Sequence, residues 1–310
     1  MTRPVLLVAT GDTIAHGSAG VATGKELLEL AGPPPTRVVV EDVMAEPSWD
    51  TSTSTQLALG RRVRKALAED EFAGVVVTHG IDTLEDTAFL ADLMVGPAAV
   101  RGGIVFTGAV RALADSSADG PGNIADALAA AAEPALRGAG AVVCMGGELH
   151  AARWATLTDP TRPAAFTSAP RQLLGRVMDG QVNLIGMPPS RPPRPRGEPE
   201  SDVALIKTYP DMPASLLTLV TDAGARGVVL EGTGAGNVPV EMFAMITELT
   251  RTDIPVVVAS RVPANGIGLV GELGAIGARG LPPNKARIAL MAALGDGGGV
   301  VAARTWFGEL

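Results

Sequence analysis

The chain has 310 residues, a formal net charge of −8 and a hydrophobic content of 46%. At about 150 residues per domain, this length predicts two globular units with sizeable cores. No uninterrupted apolar run approaches the roughly 18 residues of a membrane span, and no secretory apolar segment follows Met1. We therefore expect a cytoplasmic protein with no membrane partner.

The single cysteine, Cys144, cannot form an intrachain disulfide, and the three histidines are not spaced as zinc ligands. We expect no metal and no other cofactor. The acidic charge and an aromatic content of 3% argue against a nucleic-acid surface. The expected partners are a small-molecule substrate and further copies of the chain.

Five strand-like runs occur before residue 150, and most are apolar throughout, as in strands buried on both faces. They cover residues 5–10, 36–44, 74–80, 103–109 and 140–147. Apolar residues at helical spacing lie between them, over about 53–69 and 122–136. This alternation predicts an α/β fold with a doubly wound, mostly parallel sheet.

A proline-rich stretch then interrupts the alternation. The segment PPSRPPRPRGEPE, residues 188–200, contains six prolines and predicts an extended linker. Beyond it, VALIKTYP, GVVLEGTG and PVVVASR are strand-like, with helices expected from about Pro213, near 240–251 and from about Asn284. The predicted organisation is an N-terminal domain over 1–187, a linker over 188–201 and a smaller C-terminal α/β domain over 202–310.

Polar loops follow several predicted strands, at the edge where open α/β sheets bind ligands. Thr13 follows the first strand, where a threonine is either a helix cap or a reacting group. Asp82 and Glu85 resemble a capping box that begins a helix. His79 precedes a glycine in a turn, where a histidine is more often a hydrogen-bonded structural group than a catalyst. The segment GTGAGN lacks the lysine of a phosphate-binding loop.

Seven segments carry a wider pattern. VLLVATGDTIA is similar to TGGTIA, GVVVTHGIDTLEDTAFLADL to THGTDTxEETA, and FTGAVRALADSSADGPGNIADAL to TGAMRP…SADGPxN. ELHAARWATLTDPTRPAAFTS, GVVLEGTGAGNVP, SRVPANG and LPPNKARIAL follow. In this order they resemble the bacterial-type L-asparaginase family, which includes the glutaminase-asparaginases. The resemblance spans nearly the whole chain.

The resemblance implies a large N-terminal α/β domain, a proline-containing linker and a small C-terminal α/β domain. It also implies a tetramer of intimate dimers, with each active site between one subunit's N-domain and its partner's C-domain. In this family the threonine at the position of Thr13 attacks a side-chain amide, forming an acyl-enzyme that water hydrolyses. Ser48, Asp82 and the backbone N–H of residue 81 also occupy family positions, the N–H as an oxyanion donor.

Two residues depart from the catalytic pattern of the family. Ile81 replaces a catalytic threonine that directly precedes the aspartate of the second signature. Leu157 in ATLT replaces the lysine that polarises that threonine. A lysine without its partner would be an unpaired buried charge, so the two changes look coordinated. Together they predict a pocket rebuilt with an apolar wall.

Three further positions differ. The family has a lid tyrosine, whereas the only tyrosine here is Tyr209, beyond the linker, and an ungapped match lands on Val21. Asp12 replaces the second glycine of TGGT, and Trp49 replaces the glutamine of a substrate-binding Ser-Gln pair. Asp12 is interpreted either as a new acid or base group or as a surface aspartate in a glycine-like backbone conformation.

The leading hypothesis is an amidohydrolase-like enzyme that uses Thr13 on an amide, ester or lactone other than free asparagine, by hydrolysis or cyclisation. Asp12, His16 and His79 are the new acid or base candidates. The residues assigned to catalysis are Thr13, Asp12 and Asp82, and those assigned to substrate binding are Ser48, Trp49, His79, Gly80, Ile81 and Leu157. The first alternative is a low-activity L-asparaginase or glutaminase, and the second is a non-catalytic amino-acid-binding or scaffold protein. In every case the chain is expected to form a homodimer or homotetramer.

Overall fold

The structure, a computed structural model, describes residues 3–44, 46–262 and 268–310. The chain divides into two compact units, Met1–Arg191 and Pro192–Leu310. The division falls within the stretch predicted as a linker. The quoted segment SRVPANG ends in residues 263–266, which lie outside the described residues. Within the described ranges, no helix is long and apolar enough to cross a membrane.

The first unit is built on an eight-stranded sheet. Its strands, and two small two-stranded ribbons, are β1 (Val5–Ala9), β2 (His16–Gly17), β3 (Gly20–Val21), β4 (Val38–Asp42), β5 (Gly74–Thr78), β6 (Gly103–Thr107), β7 (Ala141–Met145), β8 (Glu148–Ala151), β9 (Thr156–Leu157), β10 (Phe166–Thr167), β11 (Gly175–Met178) and β12 (Gln181–Leu184). The sheet order is β12-β11-β8-β7-β6-β5-β1-β4. The strands β4, β1, β5, β6 and β7 are parallel, and β8, β11 and β12 extend the sheet by antiparallel pairing.

Four helices cover this sheet: α1 (Gly24–Ala31), α2 (Thr53–Ala68), α3 (Ile81–Val95) and α4 (Gly120–Ala132). Leu27 of α1 and Ile124 of α4 are buried in one core cluster with Val5, Leu7 and Val76. Helices α2 and α3 pack on each other. Because the crossovers from β1 to β4 and from β4 to β5 run in opposite directions, right-handed connections place their helices on opposite faces.

The two directions of winding meet between β1 and β5, which are adjacent and parallel. Hydrogen bonds join the ends of these strands: Thr10 N–H donates to Thr78 Oγ1 at 3.1 Å, and Thr10 Oγ1 donates to the Thr78 carbonyl at 2.6 Å. The loops that leave a doubly wound sheet at such a reversal diverge and open a crevice. The crevice therefore lies between the segments that begin at residues 10 and 78.

The second unit has a four-stranded parallel sheet in the order β13-β14-β15-β16. Its elements are β13 (Val203–Lys207), α5 (Ser215–Asp222), β14 (Gly227–Gly232), α6 (Phe243–Arg251), β15 (Val256–Ser260), β16 (Ile276–Gly277), α7 (Pro283–Ala293) and α8 (Val300–Gly308). Buried Leu217, Met242 and Ile246 pack on Val228 and Val258 in its core. The expected fold class, a doubly wound N-terminal domain and a smaller C-terminal α/β domain, is confirmed.

Some elements differ from the sequence-based prediction. The five predicted strands are present but shorter, and the helix expected over 122–136 is α4 followed by a short 3-10 helix, Pro134–Leu136. Helix α1 was not predicted, although Thr23 and Glu26 form a capping box at its start. The strands from β8 to β12 were also missed, because runs of two to four residues carry almost no periodicity.

Candidate active site

The turn after β1 carries the first group of candidate residues. Gly11 and Asp12 both have positive φ angles, 82° and 67°. A 3-10 helix, Thr13–Ala15, follows, and its Ile14 and Ala15 are buried in the core. These apolar anchors fix the backbone directly after Thr13, while the Thr13 side chain stays partly exposed.

Asp12 has an unusual backbone conformation for a residue with a side chain. Its φ of 67° and ψ of −165° lie in a region that glycine almost alone occupies. Such a conformation costs about 1–3 kcal/mol and persists only where the surroundings impose it. The side chain is 3% exposed. The backbone is glycine-like as expected, but the interpretation of Asp12 as a surface residue is wrong.

Hydrogen bonds hold the Asp12 carboxylate on both sides. Its Oδ1 accepts from the Thr13 backbone N–H at 2.5 Å and from Thr13 Oγ1 at 3.0 Å. Its Oδ2 accepts from the Ser48 backbone N–H at 2.6 Å. The carboxylate thus contacts the hydroxyl of the expected nucleophile and fixes a loop that comes from 36 residues further along the chain.

The helix-cap interpretation of Thr13 is wrong in this structure. The residue that caps the 3-10 helix is Asp12, whose side chain accepts from the Thr13 N–H. The Thr13 hydroxyl donates to Asp12 and, among the described residues, accepts from no backbone N–H. Its hydroxyl therefore has no structural role that would compete with a chemical one.

Ser48 joins the loop after β4 to the start of α3. It begins a 3-10 turn, Ser48–Asp50, and is 2% exposed. Its Oγ donates to Asp82 Oδ2 at 3.4 Å, and its carbonyl accepts from Thr83 Oγ1 at 2.8 Å. Thr83 lies in the second signature directly after Asp82, where the sequence indicated only a capping box. The structure therefore brings Thr13, Asp12, Ser48 and Asp82 into one hydrogen-bonded group.

The first turn of α3 differs from the expected capping box. The N-cap is Gly80, with no side-chain cap, and Asp82 lies inside the first turn instead of capping it. A Cβ atom on Gly80 would collide with the Asp12 carboxylate and Ser48 Oγ, so only glycine fits there. The uncapped N–H groups of this turn give the site a partial positive charge, which favours developing negative charge.

The side chain of His79 is buried and is not part of the accessible surface of the site. It is 1% exposed, its Nδ1 lies 2.8 Å from the Gly80 carbonyl, and its Nε2 lies 3.0 Å from Thr87 Oγ1. Burial lowers the pKa of His79, opposed by the Gly80 carbonyl and the Asp12 charge. The neutral ring with a proton on Nδ1 satisfies both contacts. No ring nitrogen is left for a substrate, and the structural interpretation fits His79 better than the assignment to substrate binding.

Three apolar candidates lie on segments that adjoin the hydrogen-bonded group. Ile81, the first residue of α3, is 8% exposed. Leu157 lies on β9, which packs against α3, and is half-buried. Trp49 follows Ser48 and is 69% exposed. Neither Asp12 nor Asp82 has an ion-pair partner among the described residues. The site therefore combines two carboxylates and two hydroxyls with apolar surface.

The remaining candidates lie on the short hairpin of β2 and β3. His16 and Val21 pair across it, and both side chains are exposed. No described hydrogen bond joins His16 to Thr13 through its side chain. In the described ranges, no three His, Cys, Asp or Glu side chains lie together as metal ligands.

Comparison with known proteins decides the family. The family model "Asparaginase, N-terminal" matches residues 4–190, and "Glutaminase/Asparaginase C-terminal domain" matches residues 202–307. The chain belongs to the asparaginase family. A glutaminase-asparaginase of Pseudomonas fluorescens biotype A is 30% identical, with 94% of this chain and 86% of that protein covered. L-asparaginase 2 of Escherichia coli K12 is also 30% identical, with 94% and 88% covered.

A solved asparaginase structure agrees with the same assignment. It is described as the probable cytoplasmic L-asparaginase of Campylobacter jejuni. It superposes with a TM-score of 0.87 at 25% identity and covers all of both chains. The match thus supports the asparaginase fold for the whole chain. The relatives support an enzyme of the amidohydrolase type.

Proposed function

We propose that this asparaginase-family protein uses Thr13 as a nucleophile and Asp12 as its base. The observation that carries this proposal is the 3.0 Å hydrogen bond from Thr13 Oγ1 to Asp12 Oδ1. A threonine hydroxyl is a poor nucleophile unless a neighbouring group takes its proton. Ile81 and Leu157 have no group that could do so, whereas the Asp12 carboxylate is already in contact.

The proposed reaction is an acyl transfer. Thr13 Oγ attacks the substrate carbonyl carbon while its proton passes to Asp12 Oδ1. The tetrahedral intermediate collapses, the bond from carbon to the leaving nitrogen or oxygen breaks, and the proton passes from Asp12 to that atom. Water then attacks the acyl-threonine, or a second nucleophile of the substrate does so and gives a ring. Asp12 takes the proton of this attacking group and passes it to Thr13 Oγ as the bond from the acyl carbon to that oxygen breaks, which regenerates both residues.

The negative charge on the carbonyl oxygen in this reaction needs a donor. The backbone N–H of Ile81 lies in the uncapped first turn of α3. A backbone N–H at a helix N-terminus stabilises an oxyanion whatever its own side chain is. Replacing threonine by isoleucine at this position therefore leaves the oxyanion donor in place.

The apolar residues at three family positions favour a substrate with an apolar body. Ile81, Leu157 and the exposed Trp49 offer hydrocarbon and indole surface, and burial of such surface yields about 25 cal/mol per Å². Ser48 and Asp82 remain to accept or donate hydrogen bonds to a polar group beside the reacting carbonyl. We propose an amide, ester or lactone larger and more apolar than free asparagine.

A second candidate is a low-activity L-asparaginase that releases ammonia. It is favoured by the 30% identity to L-asparaginase 2 of Escherichia coli and by the presence of Thr13, Ser48 and Asp82 at family positions. General-base assistance is worth about 10²–10⁴ in rate. A protein that lacks the family's threonine and lysine is therefore expected to hydrolyse asparagine slowly.

A screen of matched substrates separates the two candidates. L-Asparagine, L-glutamine, L-leucinamide, L-leucine methyl ester and an alkyl γ-lactone are supplied at equal concentration. Ammonia is measured for the amides, acid for the ester and lactone, and product mass distinguishes hydrolysis from cyclisation. Turnover of an apolar substrate above that of asparagine is expected. Faster turnover of asparagine than of every apolar substrate would favour the second candidate.

The same screen tests the role of Thr13. Thr13→Ala should abolish turnover of the preferred substrate with an almost unchanged melting temperature, and Thr13→Ser should retain part of it. Activity of Thr13→Ala at the parent level would place the chemistry elsewhere in the pocket.

We further propose that the protein acts in the cytoplasm as a homodimer or homotetramer. The name of the Campylobacter structure supports the location, although a Haemophilus influenzae relative is named as periplasmic. The assembly rests on the resemblance to the family. Cell fractionation tests the first statement, and the mass in solution tests the second.

A further inference from the structure

The second unit contains a cleft that is separate from the candidate active site. It has a volume of about 640 Å³ and lies between the segment at residues 193–196 and one face of α8. Small-molecule sites span about 300–1,000 Å³. Its apolar lining includes Ala292, Ala293, Val301 and Ala302. The cleft has the size and the apolar lining of a ligand site.

Trp306 on α8 lines this cleft and has an unsatisfied polar group. Its side chain is 8% exposed, and its buried indole N–H has no hydrogen-bond acceptor among the described residues. Most native proteins avoid a buried donor without a partner. Because Trp306 lines the cleft, its indole can report a molecule that binds there.

Four charged side chains line the same cleft. They are Arg194, Arg196, Asp296 and Glu309. All four are exposed, and none forms an ion pair with another described residue. The cleft therefore presents two positive and two negative groups that do not neutralise each other by contact.

The backbone that carries the arginines is held in place. Pro195 and Pro199 are buried, and the proline ring fixes the φ angle of each residue. Glu200 N–H donates to the Met291 carbonyl at 2.8 Å. A Cβ atom on Gly197 would lie 2.8 Å from an Asp296 carboxylate oxygen, so the segment packs closely on that residue. Ordering the two guanidinium groups on binding therefore costs little backbone entropy.

We propose that this cleft binds a zwitterionic small molecule, an amino acid or short peptide with an aliphatic side chain. The carboxylate of the ligand pairs with Arg194 or Arg196, and its ammonium group pairs with Asp296 or Glu309. The aliphatic side chain of the ligand covers the apolar residues of the lining and contacts the indole of Trp306. A simple anion or cation would gain one of these ion pairs but would also meet like charges.

The test uses the full chain labelled with 5-fluorotryptophan. The three tryptophan resonances are assigned by replacing Trp49, Trp154 and Trp306 one at a time with phenylalanine. If Trp306→Phe does not fold, the other two replacements still identify the third resonance. L-Leucine and L-leucyl-L-leucine are titrated, with 4-methylpentanoate and 3-methylbutylamine as ligands that carry one charge only.

The Trp306 resonance is expected to shift saturably with L-leucine or with the dipeptide, and much less with either singly charged ligand. Which of the two zwitterions binds more tightly tells whether the ligand is an amino acid or a peptide. Arg194→Gln and Arg196→Gln together should weaken binding about two- to fivefold, the effect of losing an exposed ion pair. Arg226→Gln, an exposed arginine of the same unit outside the cleft, should leave it unchanged.

Three results would overturn the proposal. The first is no shift of the Trp306 resonance with any ligand at concentrations up to about 50 mM, which reaches the range expected of two exposed ion pairs. The second is equal binding of 4-methylpentanoate, which indicates a simple anion site. The third is unchanged affinity in the double arginine variant, which places the zwitterion elsewhere on the protein.

Discussion

Replacing Asp12 by glycine should change the stability little, whereas replacing it by asparagine should lower it, although both remove the carboxylate. Glycine tolerates a φ of 67° and a ψ of −165° and therefore relieves about 1–3 kcal/mol of backbone strain. Glycine also raises the conformational entropy of the unfolded chain, which lowers the stability by about 0.4–1 kcal/mol. The buried Ser48 N–H loses its carboxylate acceptor and must bind water instead. These contributions nearly cancel, so Asp12→Gly should unfold within about 2 kcal/mol of the parent.

Asparagine keeps the strain and adds a conflict between donors. Asp12 Oδ1 accepts from Thr13 at 2.5 Å, and Oδ2 accepts from Ser48 at 2.6 Å. An asparagine amide has one oxygen, so its NH₂ group must face a backbone N–H in either orientation. The lost bond and the unsatisfied donor cost about 1–3 kcal/mol. For a unit of this size, the melting temperature should fall by roughly 3–10 °C.

Scanning calorimetry measures both changes, and activity is followed on the preferred substrate. Asp179→Asn is a matched control, because Asp179 also has a positive φ, 51°, but is exposed and accepts no described side-chain hydrogen bond. This control should shift the melting temperature by no more than about 1 °C. Both Asp12 variants should lose turnover, since neither has a base beside Thr13. The reasoning is refuted if Asp12→Asn melts like the parent and turns substrate over at the parent rate.

Three further predictions concern asparagine turnover, pH and assembly. The double variant Ile81→Thr with Leu157→Lys should raise ammonia release from asparagine. Either change alone should not, because each restored group needs the other. Equal gains from a single change would contradict this prediction. Burial lowers the pKa of His79, so the unfolded state binds a proton that the native state does not. Stability should therefore be complete above the ordinary histidine pKa of about 6.5 and should fall as the pH drops below it. Urea titrations at about pH 7.5 and 5.5 check this: His79→Gln should flatten the difference, and the exposed His16→Gln should not. Light scattering at micromolar concentration should give the mass of at least a dimer, and a monomeric mass would refute the proposed assembly.

Local patterns in the sequence were sufficient for the alternation of buried strands and helices. Runs such as VLLVA and GVVVT are apolar throughout, and only strands buried on both faces of a parallel sheet need that composition. The order of the signatures likewise identified the family before any contact was known. The capping box of Thr23 and Glu26 shows that one missed helix was also encoded locally.

The sequence by itself therefore determined the fold class, the family and the positions of Thr13, Ser48 and Asp82. It showed that an aspartate replaces a glycine at residue 12, but not where the carboxylate points. That direction depends on the Ser48 N–H, which lies 36 residues away in sequence and meets Asp12 only through the packing of the loop after β4. The same holds for His79, whose Nε2 contact arises only when the folded α3 brings Thr87 to the ring. Local propensity acts over a few residues, whereas these side-chain environments are set by segments that only the folded chain brings together.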